Sequence, residues 1–289
     1  MQLDIFEHSR NVMLRNAAAD ALRQSDLAAA RAALEQLRND YPEDVLLADL
    51  ETLTAAYSRR TQQLLRGHDD VPPAVIELEQ RIVPAARNIY SRDAPRLLRP
   101  LWRDLAEQAR ALAFRRDRPD AHAVPLWLQA GEWQIAADSI ERLEAWRRIP
   151  VTLGWMIEAR YRLQGLDAIW PWLAELAWLA PARLEQVIRV LDDALLTSLT
   201  QRFVTEFDAD AAAADLAWLP AWLLVHRPAL QRLLATAAPG NDNPPERALR
   251  TMVGLLVLER AGRHRELVHA RAELRALHPG LFADYMRTR

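Results

Sequence analysis

The chain has 289 residues, of which 39 are acidic and 37 are basic, so its formal net charge is −2. It contains no cysteine and every basic residue is arginine, which excludes disulfides, cysteine-ligated metal sites and enzymes that need a catalytic lysine. No GxG pair and no GxSxG sequence occurs, so the dinucleotide and P-loop fingerprints and the nucleophile elbow are excluded as well.

The residue types that favour helices dominate the composition. Alanine, leucine, arginine and glutamate are abundant, whereas valine, isoleucine and threonine never form alternating runs. We therefore predict an all-α protein without a sheet. A helical array can use the whole length, so we predict one helical-repeat domain over 1–289, with possible sub-boundaries at 67–73 and 238–244.

The start of the chain carries acidic residues early and lacks the apolar core of a secretory signal. The longest uncharged run, 216–225, is interrupted by Pro220 and is too short to cross a bilayer. We therefore expect a cytoplasmic protein with no membrane contact.

Residues 8–66 are expected to form three helices, the first two joined by a turn at Ser25. The pair Ser25-Asp26 supplies a side-chain cap for the second helix, and a stripe that includes Leu34 and Leu37 leads to Pro42. The segment GHDDVPP at 67–73 is a linker candidate in which Asp70 caps the next helix. His68, Asp69 and Asp70 are better explained by capping than by cation binding.

The segment 81–118 is rich in arginine. It holds ten arginines against four acidic residues, with Tyr90, Trp102 and Phe114 between them. Arginine forks match phosphate and aromatic faces stack on bases, so a phosphate-binding patch is one interpretation. The other is a solvated helix face in a protein that uses arginine as its only cation. The near-neutral overall charge favours the second interpretation.

Residues 120–181 predict two helical hairpins that turn at Gly131 and Gly165, because glycine adopts the left-handed geometry that ends a helix. Pro181 then suits the first turn of a new helix. Seven of the ten tryptophans lie between 127 and 178, and clustered tryptophans at helical spacing indicate packing between helices. A groove whose tryptophans stack on a ligand is the alternative. We expect one or two of the seven, with Trp155 as the first choice, to reach the surface.

The last part of the chain repeats the same pattern. Asn243 precedes two prolines and Glu246, which is typical of a helix start, and Gly262 predicts another hairpin before Pro279. Glu266 and His269 form an ExxH pair, but the chain contains no second pair for a di-iron site. We predict no metal and no cofactor.

The spacing of turn residues and prolines resembles that of tetratricopeptide-like proteins. The four units place a proline 16 to 19 residues after the turn residue, and the two central turns are 34 residues apart. Ser25, Ala30, Leu34, Leu37 and Pro42 are similar to the family's pattern of turn, small, bulky and proline positions. The resemblance implies a right-handed stack of antiparallel helical hairpins with a concave groove.

The family's groove positions imply a set of partner-binding residues in this sequence: Thr152, Trp155, Arg162, Arg118, Gln129, Glu259 and Arg260. The leading hypothesis is a protein-interaction or scaffold module, not an enzyme, that holds a protein or peptide partner in the groove. Nucleic-acid or phosphoanion binding through 81–118 is one alternative. An all-α enzyme whose acid–base groups meet only in the fold is the other.

Overall fold

The computed structural model describes residues 2–60, 65–207 and 213–289, and every regular element in these ranges is helical. The all-α prediction is therefore confirmed for the described residues. The chain divides into two compact units, Met1–Glu132 and Trp133–Arg289, here the N-terminal and C-terminal units. The division coincides with neither 67–73 nor 238–244, and the single repeat domain stays a prediction. In the described ranges, no helix has the length and apolar character needed to cross a membrane.

The described residues of the N-terminal unit form seven α-helices, and a π-helical turn at Leu78–Ile82 joins the fourth to the fifth. They are α1 (Gln2–Arg23), α2 (Leu27–Asp40), α3 (Leu47–Arg59), α4 (Val71–Glu77), α5 (Val83–Tyr90), α6 (Ala94–Ala109) and α7 (Ala123–Ala130). Residues 61–64, in which the third predicted helix was expected to end, lie outside the described residues.

The turn between α1 and α2 follows the sequence prediction. Ser25 has φ +61°, and the Asp26 carboxylate accepts a hydrogen bond of 3.0 Å from Ala29 N, so it caps α2. The helices α1, α2 and α3 pack against one another. The buried Asp44 carboxylate, in the α2–α3 turn, accepts from Arg15 Nε at 2.7 Å and ties this turn to α1.

The linker prediction at 67–73 needs a correction in its detail. Asp70 does precede α4, but its carboxylate accepts from Arg66 N at 2.7 Å and from Gly67 N at 3.3 Å. It therefore closes the turn before the helix and makes no side-chain bond to the first turn of α4.

In the C-terminal unit, the ranges 133–207 and 213–289 that the structure describes form ten α-helices. They are α8 (Trp133–Glu141), α9 (Pro150–Gln164), α10 (Trp170–Leu179), α11 (Pro181–Leu191), α12 (Ala194–Glu206), α13 (Leu219–His226), α14 (Gln231–Leu234), α15 (Pro244–Ala261), α16 (His264–Leu277) and α17 (Pro279–Arg287).

Glycine and proline set the helix ends as the sequence predicts. Gly131 and Gly262 have positive φ and end α7 and α15, while Gly165, with φ +81°, ends α9. Prolines occupy the first position of α9, α11, α15 and α17. Asn243 accepts from Glu246 N at 3.1 Å and caps α15, as expected.

Most tryptophans lie in the core, and the expectation that Trp155 reaches the surface is wrong. Its exposed fraction is 6%, because α9 packs against α8, α10 and α11, and the six consecutive residues 152–157 of this helix are all buried. Trp133, Trp146, Trp172 and Trp218 are half-buried instead. The core of the C-terminal unit includes the fully buried aromatic residues Trp170, Trp222, Phe203 and Tyr285.

Candidate partner-binding groove

Two of the predicted groove residues are part of the core. Thr152 is fully buried, and its hydroxyl lies 2.7 Å from the Trp146 carbonyl oxygen. Trp155, one turn further along α9, is buried as well. Placing these two residues in a groove was wrong, because the family pattern assumes that one face of this helix is open.

Arg162 is exposed near the end of α9, as a groove residue should be. Its guanidinium carbon lies 5.9 Å from the Trp133 ring centroid and 5.4 Å from that of Tyr161, and Nη2 donates to the Val190 carbonyl at 3.2 Å. Arg162 therefore lies beside a tryptophan ring, but this ring belongs to Trp133 and not to the predicted groove residue Trp155.

The two predicted residues on α15 differ in their surroundings. The Glu259 carboxylate accepts a hydrogen bond from the Tyr285 hydroxyl and one of 2.9 Å from Arg289 Nε, and Arg271 lies 3.7 Å away. Glu259 thus links α15, α16 and α17, and these internal partners occupy its carboxylate. Arg260 is exposed.

The remaining two predicted residues lie in the N-terminal unit. Arg118 forms an ion pair with the exposed Asp69, and this pairing lowers the pKa of Asp69. Gln129 is exposed on α7 and lines a groove that also contains residues of the arginine-rich segment. Arg118 does not line that groove.

This groove has a volume of about 390 Å³ and is formed by three helices and the π-helical turn. Its lining residues are Glu79 from the π turn, Val83 and Arg87 from α5, Ala94, Pro95, Leu98 and Trp102 from α6, and Gln129 from α7. Leu98 and Trp102 are buried and form an apolar floor, whereas Glu79, Arg87 and Gln129 are exposed and polar. An apolar floor with a polar rim is the usual composition of a binding cleft.

Pro84 explains the π turn at the edge of the groove. Proline lacks an N–H group, and its ring clashes with the carbonyl four residues earlier, here that of Gln80. The chain widens instead, so that Val83 N donates to the Leu78 carbonyl five residues before it. The turn carries Glu79 into the rim of the groove, and π turns are frequent at functional sites.

The helix α6 separates apolar and cationic residues on opposite sides. Arg96, Arg99, Arg103 and Arg110 fall within about 60° of one another at 100° per residue. The opposite side carries the buried residues, including Leu98 and Trp102. The arginine row therefore runs along the solvent side of the helix whose other side forms the floor of the groove.

Half of the ten arginines in 81–118 lack an acidic partner. Arg103 pairs with Glu132 at 3.5 Å and Arg110 with Glu107 at 3.6 Å. Within the described ranges, the arginines with no carboxylate at ion-pair distance are Arg87, Arg92, Arg96, Arg99 and Arg116. One of these five, Arg87, lines the groove.

A larger recess of about 540 Å³ between α2 and α3 is a weaker candidate. Arg38 Nη2 donates to Glu51 at 2.6 Å and Arg31 Nη2 to Ser58 Oγ at 2.7 Å, so bonds between the two helices already use its polar groups. The α5–α7 groove, in contrast, has Arg87 available to a ligand.

Three side chains whose pKa values are shifted by burial lie outside the lining of this groove. Burial raises the pKa of Glu158 on α9, against the opposing effect of Arg162 and Arg183. Burial also lowers the pKa of His122 to about 4 and lowers that of His226. In the described part of the chain, no group of three acidic or histidine side chains is arranged to hold a metal ion.

Sequence reasoning identified Gln129 and the arginine-rich segment but did not join them. The sequence signal that could have joined them is Pro84, which interrupts an otherwise helical run and places the π turn beside α6.

The comparisons with known proteins identify no relative: no family model, no curated protein and no solved structure matches the chain.

Proposed function

We propose that this protein is a partner-binding module that holds an acidic, partly apolar segment of another protein in the α5–α7 groove. The proposal extends to a tetratricopeptide-like architecture, in which α1–α2, α9–α10 and α15–α16 are repeat hairpins, and to a location in the cytoplasm. It assigns no catalytic step and no cofactor.

The observation that carries the proposal is the combination of an apolar floor with a cation that has no carboxylate at ion-pair distance among the described residues. Leu98 and Trp102 offer a surface on which an apolar side chain can be buried, at about 25 cal/mol per Å². Arg87 at the rim offers a planar fork that matches a carboxylate. An acidic segment with an apolar anchor residue satisfies both requirements.

Site-specific photo-crosslinking tests this proposal. A photoreactive residue replaces Gln129, which is exposed and lines the groove, and the matched control replaces the exposed Arg116 outside it. We expect position 129 to capture a reproducible protein product that position 116 does not capture. The same products from both positions, or none from 129, would contradict the proposal.

Charge reversal gives a second readout on the same groove. Arg87→Glu should reduce the captured product at least about tenfold, because it places a carboxylate opposite the acidic segment. Arg116→Glu makes the same change in charge elsewhere in the N-terminal unit and should leave the yield unchanged. Equal losses in the two variants would show that net charge alone governs capture.

Phosphoanion or nucleic-acid binding through 81–118 is a second candidate, which the arginine row of α6 favours. Glu79 in the groove and the net charge of −2 oppose it. Mobility shifts of labelled RNA and DNA at two salt concentrations decide this point, because a phosphate-driven complex weakens steeply as salt rises. A salt-sensitive shift that Arg96→Gln and Arg99→Gln abolish would favour this candidate over the protein partner.

A further inference from the structure

The C-terminal unit contains a second recess with a different chemistry. It has a volume of about 210 Å³ and lies between the turn before α9, the end of α10 and the loop before α15. Its lining residues are Arg147, Arg148, Glu175, Trp178, Leu179, Ala238, Pro239, Gly240 and Asn241. Two consecutive arginines therefore face one small cavity.

A buried carboxylate holds the first of these arginines in place. Glu175 is 8% exposed; its Oε2 accepts a 3.0 Å hydrogen bond from Arg147 Nε, and its Oε1 accepts one from Arg147 Nη2. The same Oε1 accepts from Ala238 N at 2.8 Å. This two-point pairing fixes the plane of the Arg147 guanidinium and leaves its Nη1 edge available to another acceptor.

Arg148 carries a positive charge that no described carboxylate balances. Its Nη1 donates to the Gly240 carbonyl at 3.2 Å, and it has no carboxylate at ion-pair distance within the part of the chain that the structure describes. Among the described residues that line the cavity, Glu175 is the one acidic residue, and Arg147 neutralises it. The cavity therefore keeps one positive charge.

The loop that closes the cavity is fixed by a second buried carboxylate. Glu246 is 2% exposed and accepts from Gly240 N at 2.8 Å and from Asp242 N at 2.9 Å. Asn243 Nδ2 also donates to the Trp178 carbonyl at 3.3 Å. The cavity wall is thus formed before a ligand arrives, so binding does not have to order this loop.

We propose that this recess binds a small organic oxyanion, a carboxylate or a phosphate, with a compact apolar body. The oxyanion contacts Arg148 and the Nη1 edge of Arg147. The apolar body lies against Trp178, Leu179 and Pro239, which form the uncharged part of the lining. This site is independent of the α5–α7 groove.

Calorimetric titration of the whole chain in a phosphate-free buffer at constant ionic strength tests the site. The three probes are inorganic phosphate, phenyl phosphate and phenylacetate, which separate the two head groups and the contribution of the apolar body. We expect phenyl phosphate or phenylacetate to bind with a Kd below about 1 mM, and inorganic phosphate to bind more weakly. No binding of any probe up to about 10 mM would overturn the proposal.

Arg148→Gln removes the free charge and should weaken binding at least about tenfold. Arg142→Gln is the matched control, because Arg142 is exposed, has no acidic partner in the described ranges and lies outside the lining. Arg148→Lys keeps the charge without the planar fork and should give an intermediate affinity, which also decides the case if the glutamine variant fails to fold. Equal effects of Arg148→Gln and Arg142→Gln would refute the assignment.

Discussion

His122 should make the stability of the N-terminal unit sensitive to mild acid. The imidazole is buried at the start of α7, where Nδ1 accepts a hydrogen bond of 3.3 Å from Val124 N, and the Phe114 ring meets it edge-on at 5.5 Å. Burial, assisted by the nearby His68, lowers the pKa of His122 from 6.5 to about 4. The folded protein therefore keeps this side chain neutral at a pH at which an unfolded chain protonates it.

The sign and size of the effect follow from proton linkage. Between pH 6.5 and about 4 the unfolded chain binds one more proton than the folded chain at this position, so the free energy of unfolding falls as the pH falls. The contribution is complete above pH 6.5 and is lost below about 4. At about 1.4 kcal/mol per pH unit, the loss at about pH 4.5 is roughly 2–3 kcal/mol.

The variant His122→Asn isolates this contribution, because asparagine is a favoured N-cap and does not titrate. Urea unfolding at about pH 7.5 and about pH 4.5 gives the difference between wild type and variant at each pH. We expect wild type to lose roughly 2–3 kcal/mol more than the variant. The imidazole signal that disappears from the NMR spectrum of the variant should titrate near pH 4. A signal that titrates near pH 6.5, or a difference in stability that does not change with pH, would refute the reasoning.

Three further predictions concern stability and can be checked by thermal or urea unfolding. Gly131→Ala should lower the free energy of unfolding by about 1–2 kcal/mol, because the backbone at position 131 has a positive φ that alanine disfavours. Gly254→Ala should raise it by up to about 1 kcal/mol, because Gly254 lies within α15 and has open space around it. Glu246→Gln should cost about 2–4 kcal/mol, because it leaves buried N–H donors without a carboxylate; no loss would mean that the loop rearranges. Trp155→Ala should lower the free energy of unfolding by about 3–5 kcal/mol because Trp155 is buried, and Arg162→Ala should lower it by less than about 1 kcal/mol because Arg162 is exposed. Similar losses in the two variants would contradict the burial assigned to these two residues.

Helix ends were the most predictable part of this fold. Asp26, Gly131, Gly262 and Asn243 act within a few residues of their own position, through a cap or a positive φ, so their role depends little on tertiary contacts. The all-helical class follows from the same local preferences. Asp70 shows the limit of this local reasoning. Backbone N–H groups both before and after Asp70 in the chain can donate to its carboxylate, and it accepts from those before it.

The faces of the helices were harder to predict than their ends. The groove assignment for α9 assumed one open side, but the first half of this helix, 150–157, carries no charged residue on any side, so its own sequence does not show which side faces solvent. Trp155 is buried because α8 and α11 pack beside it, and these contacts join residues far apart in the chain. The α5–α7 groove was missed for a related reason, since the π turn at Pro84 changes which residues share a face.

The two buried glutamates give a physical reason why this protein uses arginine as its only cation. Glu175 and Glu246 each have several acceptor sites to fill, and Arg147 and Arg250 each supply two donors from one planar group. A lysine would supply one point charge without this two-point geometry. Some arginines have no such carboxylate partner among the described residues, and their guanidinium groups remain available to a ligand. Arg87 is the example in the groove. In the sequence, all 37 arginines look equivalent. The partner of each guanidinium in the structure distinguishes the arginines that stabilise the fold from those that can bind a ligand.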